Sequence, residues 1–358
     1  MDIALPARMV RNAASALEIN FNRLLGREFI PAQPDMLCIE TSSLCNLKCR
    51  FCAYVKKHSP KVSMTDEFFR DCIRQASEIG YRRFELTPCT GDVFMDRHIL
   101  NKLQFLEQHP DVDGYQFFTN FTIPRPRDID RLLRLRKLER LTISVYGHDL
   151  ESFVAITEST EKIYRRLIAN LEKLFGALGE RKFELELGLR SSRTMPRRPS
   201  GPLLELIDRF ERAGVAVRRS RRYNNWGGLI TAADVEGLGI DIKGAESVYK
   251  NGACVLLFTS IQIMATGIVN GCACRDANAT LRIGDLNATP LRDIISTRNA
   301  AYMGLIEEQQ CGDFRPICRS CDFYKSIYHK RAKDRRSGTA LRSLAEFNAR
   351  LDAAAAQD

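Results

Sequence analysis

Between Met36 and about Gly228 the sequence alternates strand-like runs with helix-like runs, and no other feature constrains the fold as tightly. The strand candidates are 37–41, 83–87, 114–119, 141–145, 183–189 and 216–220. Helical periodicity fills most of the gaps, at 66–78, 97–108, 129–138, 163–178 and 203–213. Strands that regularly alternate with helices form a parallel sheet, because the helix must carry the chain back before the next strand starts. Six such units are too few to close an eight-stranded barrel. The expected fold is therefore α/β, an open, partial (β/α)6 TIM-like barrel. In such sheets ligands bind at the C-terminal ends of the strands.

The flanks read differently. Met9, Val10, Ala13, Leu17, Phe21 and Leu24 recur at helical spacing, which predicts an amphipathic helix over 8–25 packed on the main body. Residues 1–35 make up this helix and a linker, and 36–230 the barrel. Residues 231–327 read as a small metal-stapled lobe: 254–321 is loop-rich, holds six cysteines and shows little helical period before 291–305. The tail, 328–358, is first basic (His329, Lys330, Arg331, Lys333, Arg335, Arg336), then helical and alanine-rich. A solvated helix face explains the basic run.

No window approaches eighteen uncharged apolar residues, and Arg8, Arg11, Glu18 and Arg23 break up any leader-like run near the start. A cytoplasmic protein is expected. Twelve cysteines are many for such a chain, and metal or catalytic roles fit better than disulfides. The net charge of +10 suits an acidic partner, such as a phosphorylated or carboxylated substrate or an acidic redox protein; nucleic acid is not expected.

Just after the first strand stands Cys45-Asn46-Leu47-Lys48-Cys49-Arg50-Phe51-Cys52. Three thiolates at this spacing can converge on one site, and thiolates are the usual ligands of iron–sulfur clusters. A cubane held by three thiolates keeps one iron open to an outside ligand. Zinc would need a fourth ligand, such as His58.

The C-x3-C-x2-C loop after the first strand, with an aromatic before its last cysteine, resembles the signature of the radical S-adenosylmethionine (SAM) superfamily. The resemblance implies that the open iron binds the amino and carboxylate groups of SAM. It also implies SAM-contacting residues. Thr90-Gly91-Asp92 stands where the family has a Gly-Gly-Glu-like motif that meets the SAM ammonium, so Gly91 and Asp92 are candidates. Asp92 keeps the charge with a shorter reach; an Asx turn or helix cap is its structural alternative. Asn120 would meet the nucleoside, Ser144 the ribose, Arg190 the SAM carboxylate and Phe51 the adenine.

A second group begins with Cys254, then twelve residues, Gly267, four residues and Cys272; Cys318-Arg319-Ser320-Cys321 follows. Cys254, Cys272, Cys318 and Cys321 supply four thiolates, enough for one 4Fe-4S cubane or a structural zinc. The pattern resembles the SPASM and twitch auxiliary-cluster domains of radical SAM enzymes, which implies a cluster. No cysteine follows Cys321, so one auxiliary cluster is expected rather than two. Cys274 and Cys311 are left over, and Cys89 sits in a loop expected to face SAM.

The resemblance implies a radical SAM oxidoreductase. Its substrate would be a small polar molecule: a sugar, aminocyclitol or nucleotide-sugar. A reducing donor such as flavodoxin or ferredoxin would supply electrons. The 35 residues before the barrel are few for a peptide-recognition domain, and none is expected. Arg190, Arg193, Arg197, Arg198, Arg218, Arg219, Arg221 and Arg222 would suit a phosphate or carboxylate if several face the cleft. A peptide- or protein-modifying maturase and a non-catalytic iron–sulfur or zinc protein are the alternatives.

Overall fold

The computed structural model describes residues 4–32, 36–87, 89–196, 198–331 and 338–355. Pro88, Arg197, Lys333, Arg335 and Arg336 lie outside the described residues.

Helix α1 (Ala4–Leu24) and strand β1 (Ile30–Pro31) lead to the barrel strands: β2 (Met36–Ile39), β3 (Arg83–Glu85), β4 (Gly114–Thr119), β5 (Leu138–Tyr146), β6 (Glu184–Arg190) and β7 (Ala216–Ser220). Between them run α2 (Asp66–Glu78), α3 (Ile99–Gln108), α4 (Pro126–Leu132), α5 (Leu150–Thr157), α6 (Glu161–Gly176) and α7 (Pro202–Arg212). Strands β8 (Arg222–Tyr223) and β9 (Asp241–Ile242) form a separate parallel pair. Then come β10 (Gln262–Ile263), β11 (Ile268–Asn270) and β12 (Arg282–Asp285), and β13 (Leu341–Arg342) pairs back on β1. A helix at Leu344–Ala355 ends the described chain.

The main sheet has the order β12-β11-β10-β2-β3-β4-β5-β6-β7. Strands β2 to β7 pair in parallel throughout. The sheet is open at both edges, so the barrel is partial, as the alternation predicts. It also runs past residue 230, because β10 pairs in parallel with β2, setting Gln262 beside Cys38.

The register separates two faces. Leu37, Ile39, Phe84, Tyr115, Phe117, Leu141, Ile143, Val145, Leu185, Leu187 and Leu189 all point outward and are all buried under the helices. Truncating one of the large side chains, such as Phe84 or Phe117, costs about 3–5 kcal/mol. The inner face is polar. Across the strands Cys38, Glu85, Gln116 and Arg140 lie in register, and further up Ser144 pairs with Gly188 and Tyr146 with Arg190. Parallel sheets are usually apolar on both faces. Here one face lines a hydrated cleft, which an unclosed barrel leaves open.

Two expectations change. The stripe Leu17, Phe21, Leu24 of α1 points to solvent, and Ile19 and Asn22 face the body instead. Asn22 is fixed there by donating from Nδ2 to the Tyr328 carbonyl at 2.9 Å. The periodic run at 291–305 is two helices, Leu291–Ile294 and Ala300–Gln310. Asn299 breaks it: its amide donates to the Ile283 and Ile294 carbonyls, and its oxygen caps Ala301.

Candidate active site

At the C-terminal ends of the strands lies a cleft whose walls include Cys45, Cys49 and Cys52. The loop that carries them is pinned from several sides. Lys48 and Arg50 donate their backbone N–H groups to the Thr157 and Ile156 carbonyls of α5, each at 3.0 Å. Phe51 is a post for the loop: its ring packs on Tyr146 and Tyr223, with centroids 5.4 and 4.6 Å away. Its carbonyl accepts from Trp226 Nε1 at 2.9 Å. Burial pushes the Cys45 thiol up to about 12 and raises Cys49 and Cys52 as well. Such thiols ionise only with a strong local positive charge, which is what cluster iron provides. His58, the fourth ligand that zinc would need, does not line the cleft.

Gly91 and Asp92 form the adjoining wall. Gly91 has φ +98°, and a Cβ there would stand 2.3 Å from the Ser42 carbonyl oxygen. Only glycine lets this loop press against the cluster loop. Asp92 donates its backbone N–H to the Leu44 carbonyl at 2.8 Å. Its carboxylate does not face the cleft as an open acceptor. It accepts from Phe94 N (3.0 Å), Asn120 N (2.7 Å) and the Thr119 hydroxyl (2.9 Å). Those donors occupy it, so Asp92 caps the turn at Val93–Met95 and clamps the end of β4. Asp92 lines the cleft alongside this structural role.

Asn120 is likewise tied to the protein. Its amide donates to Asn46 Oδ1 at 2.9 Å and to Cys45 Sγ at 3.8 Å, while its oxygen accepts from Thr122 N and Oγ1. Asn120 is 4% exposed, lines the cleft and is held against the cluster loop. Ser144 and Arg190 remain as open polar groups of the lining. The Arg190 guanidinium lies 6.0 Å from the Phe51 ring centre and 5.6 Å from that of Tyr223. It has no carboxylate partner among the described residues. Of the other arginines expected to crowd the cleft, none of those described lines it. Arg193 pairs with Asp241, Arg218 with Glu186 and Arg219 with Glu211.

A second, smaller pocket is walled by Cys254, Cys272, Cys318 and Cys321, the four cysteines expected to act together. Donors already point at its sulfurs: Gln309 Nε2 to Cys318 at 3.3 Å and Phe323 N to Cys321 at 3.2 Å. Burial pushes Cys254 and Cys318 up to about 12. Gly267 makes the β10–β11 turn at φ +92°, where a Cβ would strike the Asn287 amide, so the glycine of the spacing motif is a turn requirement. Cys311 is exposed and away from both sites. Cys274 lines the first cleft, and its sulfur accepts from Arg275 Nη1 at 3.1 Å. Arg275 is itself buried in an ion pair with Asp322 at 2.7 Å and lines the second cavity, so it stands between the two sites.

No protein-family model and no curated protein matches the chain. Solved structures match its fold. BtrN in complex with AdoMet and 2-DOIA gives a TM-score of 0.53 at 15% identity, covering 83% of this chain and 96% of BtrN. Streptococcus suis SuiB bound to precursor peptide SuiA gives 0.54 at 15% identity, covering 82% and 72%. SuiB bound to S-adenosylmethionine gives 0.53 at 14%, covering 83% and 76%. The protein shares the fold of these structures.

Within this fold, the strand ends also bring residues to the cleft that sequence reasoning did not select as site residues: Glu85, Thr87, Phe118, Tyr146, Asn224 and Trp226. Glu85, Phe118 and Tyr146 share the inward parity of Ser144 and Arg190, a signal present in the strand alternation. Asn224 and Trp226 arrive from an irregular segment, for which the sequence holds no comparable signal. No described helix is long and apolar enough to cross a membrane.

Proposed function

We propose that the chain is a radical SAM oxidoreductase acting on a small polar substrate, with one SAM-binding 4Fe-4S cluster and one auxiliary 4Fe-4S cluster. The observation that carries this reading is the division of the thiols. Cys45, Cys49 and Cys52 line one cleft, and Cys254, Cys272, Cys318 and Cys321 line another. We read the three loop thiols as a ligand set short of a fourth, and the other four as a complete one.

Cys45, Cys49 and Cys52 would hold the first cluster, and SAM bound at its open iron would supply a 5′-deoxyadenosyl radical for hydrogen abstraction. Arg190 offers the SAM carboxylate an unpaired guanidinium. Ser144 would meet the ribose, and Phe51 with Tyr146 would supply an apolar wall for the adenine. Asp92 and Asn120 hold the cluster loop in place. The four-thiol site suits a redox role, because full protein ligation leaves no iron open to substrate.

Sugars, aminocyclitols and nucleotide-sugars are the favoured substrate class, in keeping with the likeness to BtrN in complex with AdoMet and 2-DOIA. The likeness to SuiB bound to a precursor peptide supports a second reading, a peptide maturase. Anaerobic reconstitution with SAM, a reductant and a panel of cyclitols, sugar nucleotides and peptides separates them. Deoxyadenosine release stimulated by a cyclitol or sugar supports the first reading, and release stimulated only by a peptide supports the second. A cluster whose spectrum ignores added SAM would overturn both.

A further inference from the structure

Once Arg190 and Ser144 are given to SAM, the rest of the cleft lining carries one open charge. Glu85 points inward from β3, with Cys38 and Gln116 in register on either side. Its carboxylate accepts from Gln116 Nε2 at 3.0 Å and has no cationic partner among the described residues. The nearest basic influence is Arg140, which is itself paired with Glu184 at 2.8 Å. Asp92 is the other acidic residue of the lining, and its oxygens are occupied. Burial raises the Glu85 carboxyl above its ordinary value. A carboxylate desolvated without a counter-charge is costly to keep, and a bound cation removes that cost.

One step further up the same face stands Phe118, which is 39% exposed and lines the cleft. Its backbone is locked in place: Phe118 N donates to Thr87 Oγ1 at 2.8 Å, and that hydroxyl donates to the Phe118 carbonyl at 2.7 Å. An aromatic face left bare in a polar cleft suits the C–H face of a saturated ring and also attracts a cation.

We propose that Glu85 and Phe118 form the substrate anchor, selecting a small cyclic polyol that carries a protonated amine. Resting on the radical SAM reading, this narrows the substrate class: the ammonium meets Glu85, and the ring lies against Phe118. The single free guanidinium of the lining is needed for SAM, so a phosphorylated substrate has no cation left to receive it.

The test compares scyllo-inosamine with scyllo-inositol, rings that differ by one amine, using equilibrium dialysis on the reconstituted, SAM-loaded enzyme. Wild-type protein should bind the amine about tenfold more tightly or better, the scale of a charge-assisted hydrogen bond. Glu85→Gln should abolish that preference while keeping the SAM-induced change in the cluster spectrum, and Glu85→Asp should retain the preference. Phe118→Ala should weaken both rings alike. Equal binding of the two rings, binding of neither, or an amine preference surviving in Glu85→Gln overturns the proposal. Loss of the SAM-induced change in wild-type protein would instead strike the radical SAM reading itself.

Discussion

The Glu40 carboxylate and the Lys57 ammonium pair at 3.1 Å with both side chains sealed from water. Glu40 follows β2, and Lys57 follows the cluster loop. The second Glu40 oxygen accepts from Ala265 N at 3.1 Å, and Lys57 also reaches Thr90 Oγ1 at 3.4 Å. One buried pair thus ties the barrel, the cluster loop, the Gly91 loop and the auxiliary hairpin together. Lys57→Ala should destabilise the protein by about 3–5 kcal/mol, because it strands a buried carboxylate. A double change to Glu40→Gln and Lys57→Met should cost less than either alone, as a thermal-melt cycle would show.

Replacing Cys45, Cys49 or Cys52 by Ala should abolish SAM cleavage, since each removes a ligand of the open-site cluster. Iron content should fall by roughly half, with the auxiliary cluster retained. Cleavage at the wild-type rate in any of the three would refute the assignment.

Cys318→Ala and Cys321→Ala should lower iron content yet leave uncoupled SAM cleavage largely intact. Cys274→Ala should keep the full iron complement, because Cys274 opens on the other cleft and its sulfur is held by Arg275. Iron analysis per chain distinguishes the two patterns.

Arg190→Ala should weaken SAM binding by about tenfold to a hundredfold, the range for losing a charge-assisted contact. The concentration of SAM needed to change the cluster's electron paramagnetic resonance spectrum reports this directly. Arg190→Lys should recover only part of the loss, because an ammonium lacks the planar fork.

Gly91→Ala should strain the wall by about 1–3 kcal/mol, from a positive φ and the collision with Ser42. The damage should be local. Iron at the loop triad should drop while the four-thiol site keeps its own, a difference Mössbauer spectra can resolve.

Strand and helix alternation was readable because side-chain parity and helical period are written in the residues. The strand ranges 114–119 and 216–220 and the helix range 66–78 match the observed Gly114–Thr119, Ala216–Ser220 and Asp66–Glu78. The helix expected at 129–138 begins earlier, at Pro126, where Asp128 accepts from Arg125 N at 2.9 Å, and it stops at Leu132 so that Leu138 can open β5. Cysteine spacing identified the four members of the second cavity. Partner choice was not readable. Whether Asp92 and Asn120 face a ligand or the protein depends on Thr119, Phe94 and Asn46 arriving beside them in space, and no local pattern records that. The exposed stripe of α1 misled for the same reason, since helical period shows that a face exists without showing what covers it.

The parallel pairing of β10 with β2 sets the auxiliary lobe on the edge of the barrel's own sheet. No hinge intervenes along that edge between the two cysteine sites. If electrons pass between metal centres held there, the tunnelling gap is fixed by the spacing of hydrogen-bonded strands. The rate would then follow driving force and substrate position rather than waiting for two domains to close.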